Sequence, residues 1–259
     1  MIDETEIQSP NFVSESRKYD IPHFSIWISD SYDGKDGLES RESRLYEGQS
    51  ADVETVASDF WESQSFSTVR GEDAYLFFRM LSYDYPEWKY GTIEGWVGEN
   101  AESMLSDLKS LVRDAVEARK PSDELIEQAG HILQEYYSKE RGKKRTHGNL
   151  SERMKHFDKR KVFDVMRFCK SKTLDHKRGK GAPDLFVYDD SDFAFVEVKS
   201  MNDSLSRSQY EFFRNYLETV GRSVWVMRVL PDELLGESRW EEGTTPRVRR
   251  ERQDKIEWN

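Results

Sequence analysis

The chain has 259 residues, and its 50 Asp and Glu against 39 Lys and Arg give a formal net charge of -11. Aromatic residues make up 13% of the chain, which excludes a disordered protein although 34% of the residues are charged. No apolar run reaches the roughly 18 residues of a membrane span, the N-terminus is acidic where a secretory signal is basic, and Cys169 is the only cysteine. We therefore expect a soluble protein of a reducing compartment, which is cytoplasmic, and nucleoid-associated if the source is prokaryotic.

The first 70 residues are predicted to end in a helix and a strand. The N-terminal extension, residues 1–45, contains one strand-like run, HFSIWISD, followed by turn residues. Residues 51–64 place apolar side chains at helical spacing, and residues 66–70 are typical of a short strand.

Residues 71–160 are predicted to be mainly helical. The run DAYLFFRMLS is compatible with a helix, residues 100–118 have an amphipathic pattern, and another helix follows with SDELIEQAGHILQEYYSK. Residues 139–180 carry 16 Lys and Arg against 5 Asp and Glu, so their charge of +11 leaves -22 for the rest of the chain. A basic segment in an acidic chain is typical of a contact with a phosphate backbone, although most charge runs are only solvated surface.

The C-terminal part gives the clearest pattern. The run VFDVMRFC, residues 162–169, is compatible with either a strand or a helix. PDLFVYD and DFAFVEVKS are β-rich runs separated by a polar turn, so they predict a hairpin. A helix over residues 204–221 and a buried strand over 223–230 follow. This order of elements predicts an α/β fold around a mixed sheet.

Three ionisable residues are expected to meet at one end of the hairpin. Asp184 opens the first run, whereas Glu197 and Lys199 lie near the end of the second, two residues apart and therefore on one face. Two carboxylates and a backbone carbonyl form a partial shell for a hard divalent cation, with open positions for water and a phosphate oxygen. The lysine can stabilise phosphate charge or activate the attacking water. The simpler interpretation is an ordinary salt bridge across a hairpin.

The motifs GAPDLFV, FVEVK, LSRSQ and GRSVWVMRV cover about 50 residues and resemble the PD-(D/E)xK nuclease superfamily, in particular its VRR-NUC type of domain. The resemblance implies an α/β, restriction-endonuclease-like, three-layer core with a central mixed sheet and, in this chain, a helical insertion. It places Asp184, Glu197 and Lys199 on the catalytic positions and Gln209 on the glutamine of a family helix. Asp184, Glu197 and the Val198 carbonyl would then bind Mg²⁺ or Mn²⁺.

The superfamily also carries a glutamate on its first helix, which completes the metal site. Its archaeal Holliday-junction resolvases show this residue about a dozen positions before a Phe that opens the first strand. Glu54 lies 12 residues before Phe66 in a similar helix, turn and strand, and we therefore favour Glu54. Glu152, which is closer to Asp184 in the sequence, and Glu124 and Glu127, which begin a better-formed helix, are rivals.

With Glu54 in the site, the nuclease core comprises residues 46–70 and 161–231. A helical insertion with the basic segment occupies residues 71–160, and residues 232–259 form a C-terminal tail. Such an insertion could be a subdomain that grips DNA, or only a lid or a dimerisation arm.

The resemblance implies a metal-dependent DNA endonuclease that hydrolyses phosphodiester bonds in repair, recombination or restriction, and that could be specific for branched structures. Related nucleases often pair, which by analogy suggests a homodimer. The alternative is a non-catalytic DNA-binding or assembly protein that retains the nuclease fold. We expect DNA to contact six basic residues, namely Lys143, Lys144, Arg145, Lys177, Arg178 and Lys180.

Overall fold

The computed structural model describes residues 21, 23–28, 50–63, 65–82, 101–141, 150–170, 182–199, 203, 205–221 and 223–231. The chain divides into two compact units. The first comprises residues 1–71, 181–188 and 194–259, and the second comprises residues 72–180 and 189–193. The nuclease core expected from the sequence, residues 46–70 and 161–231, remains a prediction.

The described helices are, in chain order, α1 (Ser50–Ser63), α2 (Gly71–Leu81), α3 (Ala101–Ala118), α4 (Asp123–Arg141), α5 (Leu150–Met154), α6 (Lys159–Lys170) and α7 (Arg207–Thr219). The described strands are β1 (His23–Ile28), β2 (Ser67–Arg70), β3 (Leu185–Tyr188), β4 (Phe193–Lys199) and β5 (Val224–Pro231). None of these helices is both long enough and apolar enough to cross a membrane.

The first unit is built around a mixed sheet whose five described strands follow the order β1, β5, β4, β3, β2. Strand β5 pairs in parallel with both β1 and β4, whereas β2 pairs antiparallel with β3. Strands β3 and β4 are neighbours joined by only four residues, and a connection this short requires them to be antiparallel. The predictions of a β3–β4 hairpin and of a mixed sheet in an α/β fold are therefore confirmed.

Alternation along the strands gives this sheet two apolar faces. Helix α1 covers one face in a buried cluster that includes Val53, Val56, Ala57, Phe60, Trp61, Leu185, Val187, Ala194, Val196, Val198, Trp225, Met227 and Val229. The opposite face carries Phe195, whose ring centroid lies 5.8 Å from Phe212 and 5.7 Å from Tyr216 of α7. Glu197 and Lys199 follow Phe195 at intervals of two and therefore lie on the α7 side.

The second unit consists mainly of helices. Helix α4 packs against both α3 and α5. Residues 162–169, for which the sequence allows a strand or a helix, lie within α6. Helical spacing of the buried Val162, Val165, Met166 and Cys169 explains this choice, because the intervening charged residues fall on the opposite side.

The turn between β3 and β4 groups with the second unit. The Asp189 side chain closes the turn by accepting hydrogen bonds from the amides of Ser191 (2.7 Å) and Asp192 (2.8 Å). Lys161 of α6 donates to the Phe193 carbonyl at 2.9 Å, pairs with the Asp192 carboxylate, and lies 4.4 Å from the centre of the Phe193 ring. This lysine therefore anchors the turn to the helices.

Candidate active site

Asp184 lies directly before β3, where β2 ends and α2 begins. The amide of Gly71 donates to the Asp184 carbonyl at 2.9 Å, and a Cβ atom at Gly71 would lie only 1.9 Å from the Pro183 carbonyl oxygen. Only glycine permits this approach, because any side chain would collide with the backbone there. The Asp184 carboxylate accepts a hydrogen bond of 2.8 Å from the Val198 amide, which ties it to the end of β4.

Glu197 is deeply buried, with 1% of its surface exposed. The Lys199 ammonium nitrogen lies 2.6 Å from Glu197 Oε1, and Gln209 Nε2 donates to the same oxygen. Oε2 is buried and has no hydrogen-bond donor among the described residues. One oxygen of this carboxylate is thus doubly occupied, while the other is available to a ligand.

Gln209 owes its orientation to the start of α7. Its side-chain oxygen accepts from the Ser206 amide at 2.8 Å, and the Ser206 hydroxyl accepts from the Gln209 amide at 3.3 Å, which forms a capping box. Because the cap uses the side-chain oxygen, the side-chain nitrogen is directed to Glu197. Helix capping and orientation of Glu197 therefore depend on the same glutamine.

The two carboxyl groups compete for charge. Burial, together with the nearby charge of Asp184, raises the pKa of Glu197 to about 8, although Lys199 opposes the shift. Burial also raises the pKa of Asp184, against the hydrogen bond from Val198 and the charge of Lys199. Of the two carboxyl groups, Glu197 is the more deeply buried, and its pKa is therefore the more strongly raised.

Glu54 on α1 belongs to the same unit and is exposed. Partial burial raises its pKa, as does the negative charge of Asp184, whereas Arg70 and Lys199 lower it. Glu54 is thus within electrostatic range of the hairpin end although 130 residues separate it from Asp184 in the sequence.

The rival glutamates belong to the second unit. Glu152 and Glu127 both pair with Lys155, at 3.1 and 3.4 Å, and Glu124 lines a cleft beside α4. Glu72, which the sequence analysis did not consider, follows Gly71 directly in the first turn of α2 and is a further rival. The identity of the helix glutamate remains a prediction in favour of Glu54.

The arrangement can be compared with what a divalent cation requires. No group of three or more His, Cys, Asp and Glu within the described ranges is close enough to hold a metal ion. Asp184 and Glu197 nevertheless offer hard oxygen ligands, and the Glu197 Oε2 atom is buried without a donor among those residues. Mg²⁺ is commonly bound by one or two carboxylates together with water and substrate phosphates, so the residues fit an ion that is completed by substrate.

Arg228 is a site residue that the sequence analysis missed. It lies on β5 in register with Lys199, has 2% of its surface exposed, and donates from Nη2 to the Asp203 carbonyl at 2.9 Å. Asp203 also acts on the site, since its charge raises the pKa of Asp184. The available signal was a single cation in the otherwise apolar strand VWVMRVL.

The predicted DNA-contacting residues Lys143, Lys144, Arg145, Lys177, Arg178 and Lys180 lie outside the described residues. Four cations in the described part of the basic segment have acidic partners within the second unit. The pairs are Arg153 with Asp190, Lys155 with Glu127 and Glu152, Lys159 with Asp123, and Lys161 with Asp192. These four charges therefore have partners within the protein, and the other cations of the segment are the better candidates for a DNA contact.

The fold and the hairpin with its two carboxyl groups can now be compared with known protein families. Residues 146–231, about a third of the chain, match the family model of the VRR-NUC domain, a domain family of the PD-(D/E)xK nuclease type. The predicted resemblance to this family is therefore confirmed over residues 146–231. The match includes Asp184, Glu197, Lys199 and Gln209 but not Glu54. No curated protein matches the chain.

Proposed function

We propose that the chain is a metal-dependent DNA endonuclease that hydrolyses phosphodiester bonds at the end of the β3–β4 hairpin. The VRR-NUC domain indicates a nuclease. The observation that carries the finer proposal is Glu197, a buried carboxylate held by Lys199 and Gln209 beside Asp184, with one oxygen that no described donor occupies. A helix on each face of the sheet further supports a three-layer, restriction-endonuclease-like core.

Asp184, Glu197 and the Val198 carbonyl would hold Mg²⁺ or Mn²⁺, with Glu54 as the fourth contributor. When bound, the ion would supply Lewis-acid activation of the phosphate and a more acidic water. The Val198 amide fixes the Asp184 carboxylate, and Gln209 fixes Glu197. These contacts set the ligand positions before substrate arrives, which reduces the reorganisation that catalysis requires.

Lys199 is placed for two successive roles. Its ammonium nitrogen lies 2.6 Å from Glu197 Oε1, so it is close to the carboxyl groups at which the attacking water and the phosphate would meet. From there it can donate to a phosphate oxygen or orient the water. Ion-pairing with Glu197 keeps the lysine in place without a dedicated pocket.

The direct test is incubation of the full chain with labelled duplex, nicked, branched and single-stranded DNAs, with Mg²⁺ or with EDTA. We expect strand cleavage that requires the metal and that Glu197→Gln abolishes. Tight DNA binding without cleavage under every metal condition would instead support the non-catalytic alternative. Comparison of initial rates across the panel would reveal any preference for branched DNA, and thereby distinguish repair or recombination substrates from simple duplex.

A further inference from the structure

Arg70 is fixed at the edge of the candidate active site by strand pairing. It is the last residue of β2, and its register partner on β3 is Leu185, the residue after Asp184. The next residue, Gly71, hydrogen bonds to the Asp184 carbonyl at 2.9 Å. The backbone of Arg70 is therefore held one step from the catalytic aspartate, and a strand holds it more rigidly than a loop would.

The guanidinium group of Arg70 has no ion-pair partner among the residues that the structure describes. The residue is exposed, and none of the described acidic residues forms an ion pair with it. The charge of Arg70 lowers the pKa of Glu54. This arginine contrasts with Arg228, which is buried and donates to the backbone of Asp203.

The charges of the site explain why an anionic substrate needs this arginine. Glu54, Asp184 and Glu197 supply carboxyl groups, and the ammonium of Lys199 is already 2.6 Å from Glu197. Within the described part of the chain, an approaching phosphate backbone would thus meet three carboxyl groups and one ammonium group. An exposed guanidinium presents a planar fork of donors that matches two phosphate oxygens.

We propose that Arg70 binds a backbone phosphate adjacent to the one that is cleaved. This inference rests on the proposed nuclease function and adds a substrate-binding residue to it. The competing explanation is that Arg70 only neutralises Glu54. A general countercharge would affect all phosphates of the DNA alike, whereas a direct contact would single out one linkage.

The experiment measures DNA binding rather than cleavage, in EDTA, with a short labelled duplex and a series in which each successive linkage is a neutral methylphosphonate. The proteins are the full-length wild type, Arg70→Ala and Arg70→Lys. Arg113→Ala is the control, because Arg113 is an exposed arginine on α3 whose polar contacts with described residues are to Ser110 and Asp114 of its own helix. Cleavage of the unmodified duplex in Mg²⁺ is recorded in parallel.

We expect Arg70→Ala to weaken binding by about tenfold and to reduce the slope of log affinity against log salt by about 0.9, as the loss of one phosphate contact does. One methylphosphonate position should weaken binding to the wild type but have no further effect on Arg70→Ala. Arg70→Lys should recover part of the affinity, and Arg113→Ala should match the wild type.

Two outcomes would overturn the inference, and they are distinguishable. If the wild type binds and cleaves DNA while Arg70→Ala keeps the same slope and the same response to every methylphosphonate, Arg70 is not a phosphate contact and the nuclease function stands. If the wild type neither binds nor cleaves any DNA with Mg²⁺, the proposed function fails and the role of Arg70 fails with it.

Discussion

Two groups of charged residues in this protein differ in how they are paired and buried. In the helical unit, Arg153, Lys155, Lys159 and Lys161 each pair with a carboxylate that lies within reach. At the hairpin end, Asp184 and Glu197 share a single lysine, and burial raises the pKa of both carboxyl groups. Charges with matched partners stabilise a structure, whereas buried like charges destabilise it and are expected where chemistry requires them.

The largest effect that we predict from this comparison is on the cleavage rate, when a carboxylate of the hairpin end is replaced by its amide. Asp184→Asn and Glu197→Gln should each lower the single-turnover cleavage rate by about a thousandfold or more, because each removes a negative ligand while it preserves shape. Asp190→Asn is the matched control, since Asp190 is a carboxylate paired with Arg153 in the helical unit. Equal losses in the control and in the site variants would mean that folding, not chemistry, explains them.

Two lysines sharpen the comparison, because Lys199 and Lys161 both pair with carboxylates of the β3–β4 hairpin. Lys199→Met should lower the cleavage rate by about a hundredfold with little change in thermal stability. Lys161→Met should have the reverse effect, since it removes the contacts to Asp192 and the Phe193 carbonyl and should cost about 1–3 kcal/mol. The cleavage rate and the melting temperature are measured for both variants. A large change in both quantities for either variant would contradict the separation of a catalytic Lys199 from a structural Lys161.

The hairpin and its trio were the parts most readily predicted from the sequence. The Pro-Asp and Glu-Val-Lys motifs lie in two adjacent β-rich runs, so local pattern alone brings Asp184, Glu197 and Lys199 to one end. The helix formed by residues 159–170 was ambiguous, because a short apolar run suits both a helix and a strand. Burial of one face within the helical unit decides this, and that packing depends on residues far away in the chain.

The distribution of charge was harder to predict. A count of +11 over residues 139–180 cannot show which cations have partners, because the partners of Arg153, Lys159 and Lys161 lie 31 to 37 residues away. Arg228 was missed for a related reason, since its role depends on its register with β4. Contacts distant in sequence therefore separate structural charges from functional ones.

Stability should depend on pH through the buried carboxyl pair. Folded Glu197 keeps its proton up to about pH 8, whereas the unfolded chain loses it near 4.5, so without metal the free energy of unfolding should fall as pH rises between these values. Glu197→Gln should flatten this fall, with a smaller slope left by Asp184 and Glu54, whose pKa values are also raised. Denaturant unfolding in EDTA at pH 5, 6.5 and 8 measures the free energy of unfolding of the wild type and of Glu197→Gln. If this free energy changed equally with pH in the two proteins, Glu197 would not be the group responsible.

The smallest effect concerns the basic segment. Replacement of Lys143, Lys144 and Arg145 by alanine should reduce the salt dependence of DNA binding by about 0.9 in log-log slope for each lost phosphate contact. Lys155→Ala is the control, because Lys155 pairs with Glu127 and Glu152 and should leave the slope unchanged. A triple variant with the wild-type slope would show that these cations are solvated surface.

Direct detection of the metal ion tests the central claim that Asp184 and Glu197 form a metal-binding active site. Bound Mn²⁺ can be measured at pH 8 from the loss of the free-ion electron paramagnetic resonance signal, with and without duplex DNA, for the wild type, Asp184→Asn, Glu54→Gln, Glu72→Gln and Glu152→Gln. We predict that the wild type binds Mn²⁺ more tightly with DNA, that Asp184→Asn loses this binding, that Glu54→Gln weakens it, and that Glu72→Gln and Glu152→Gln leave it unchanged. Unaltered Mn²⁺ binding by Asp184→Asn would contradict the account.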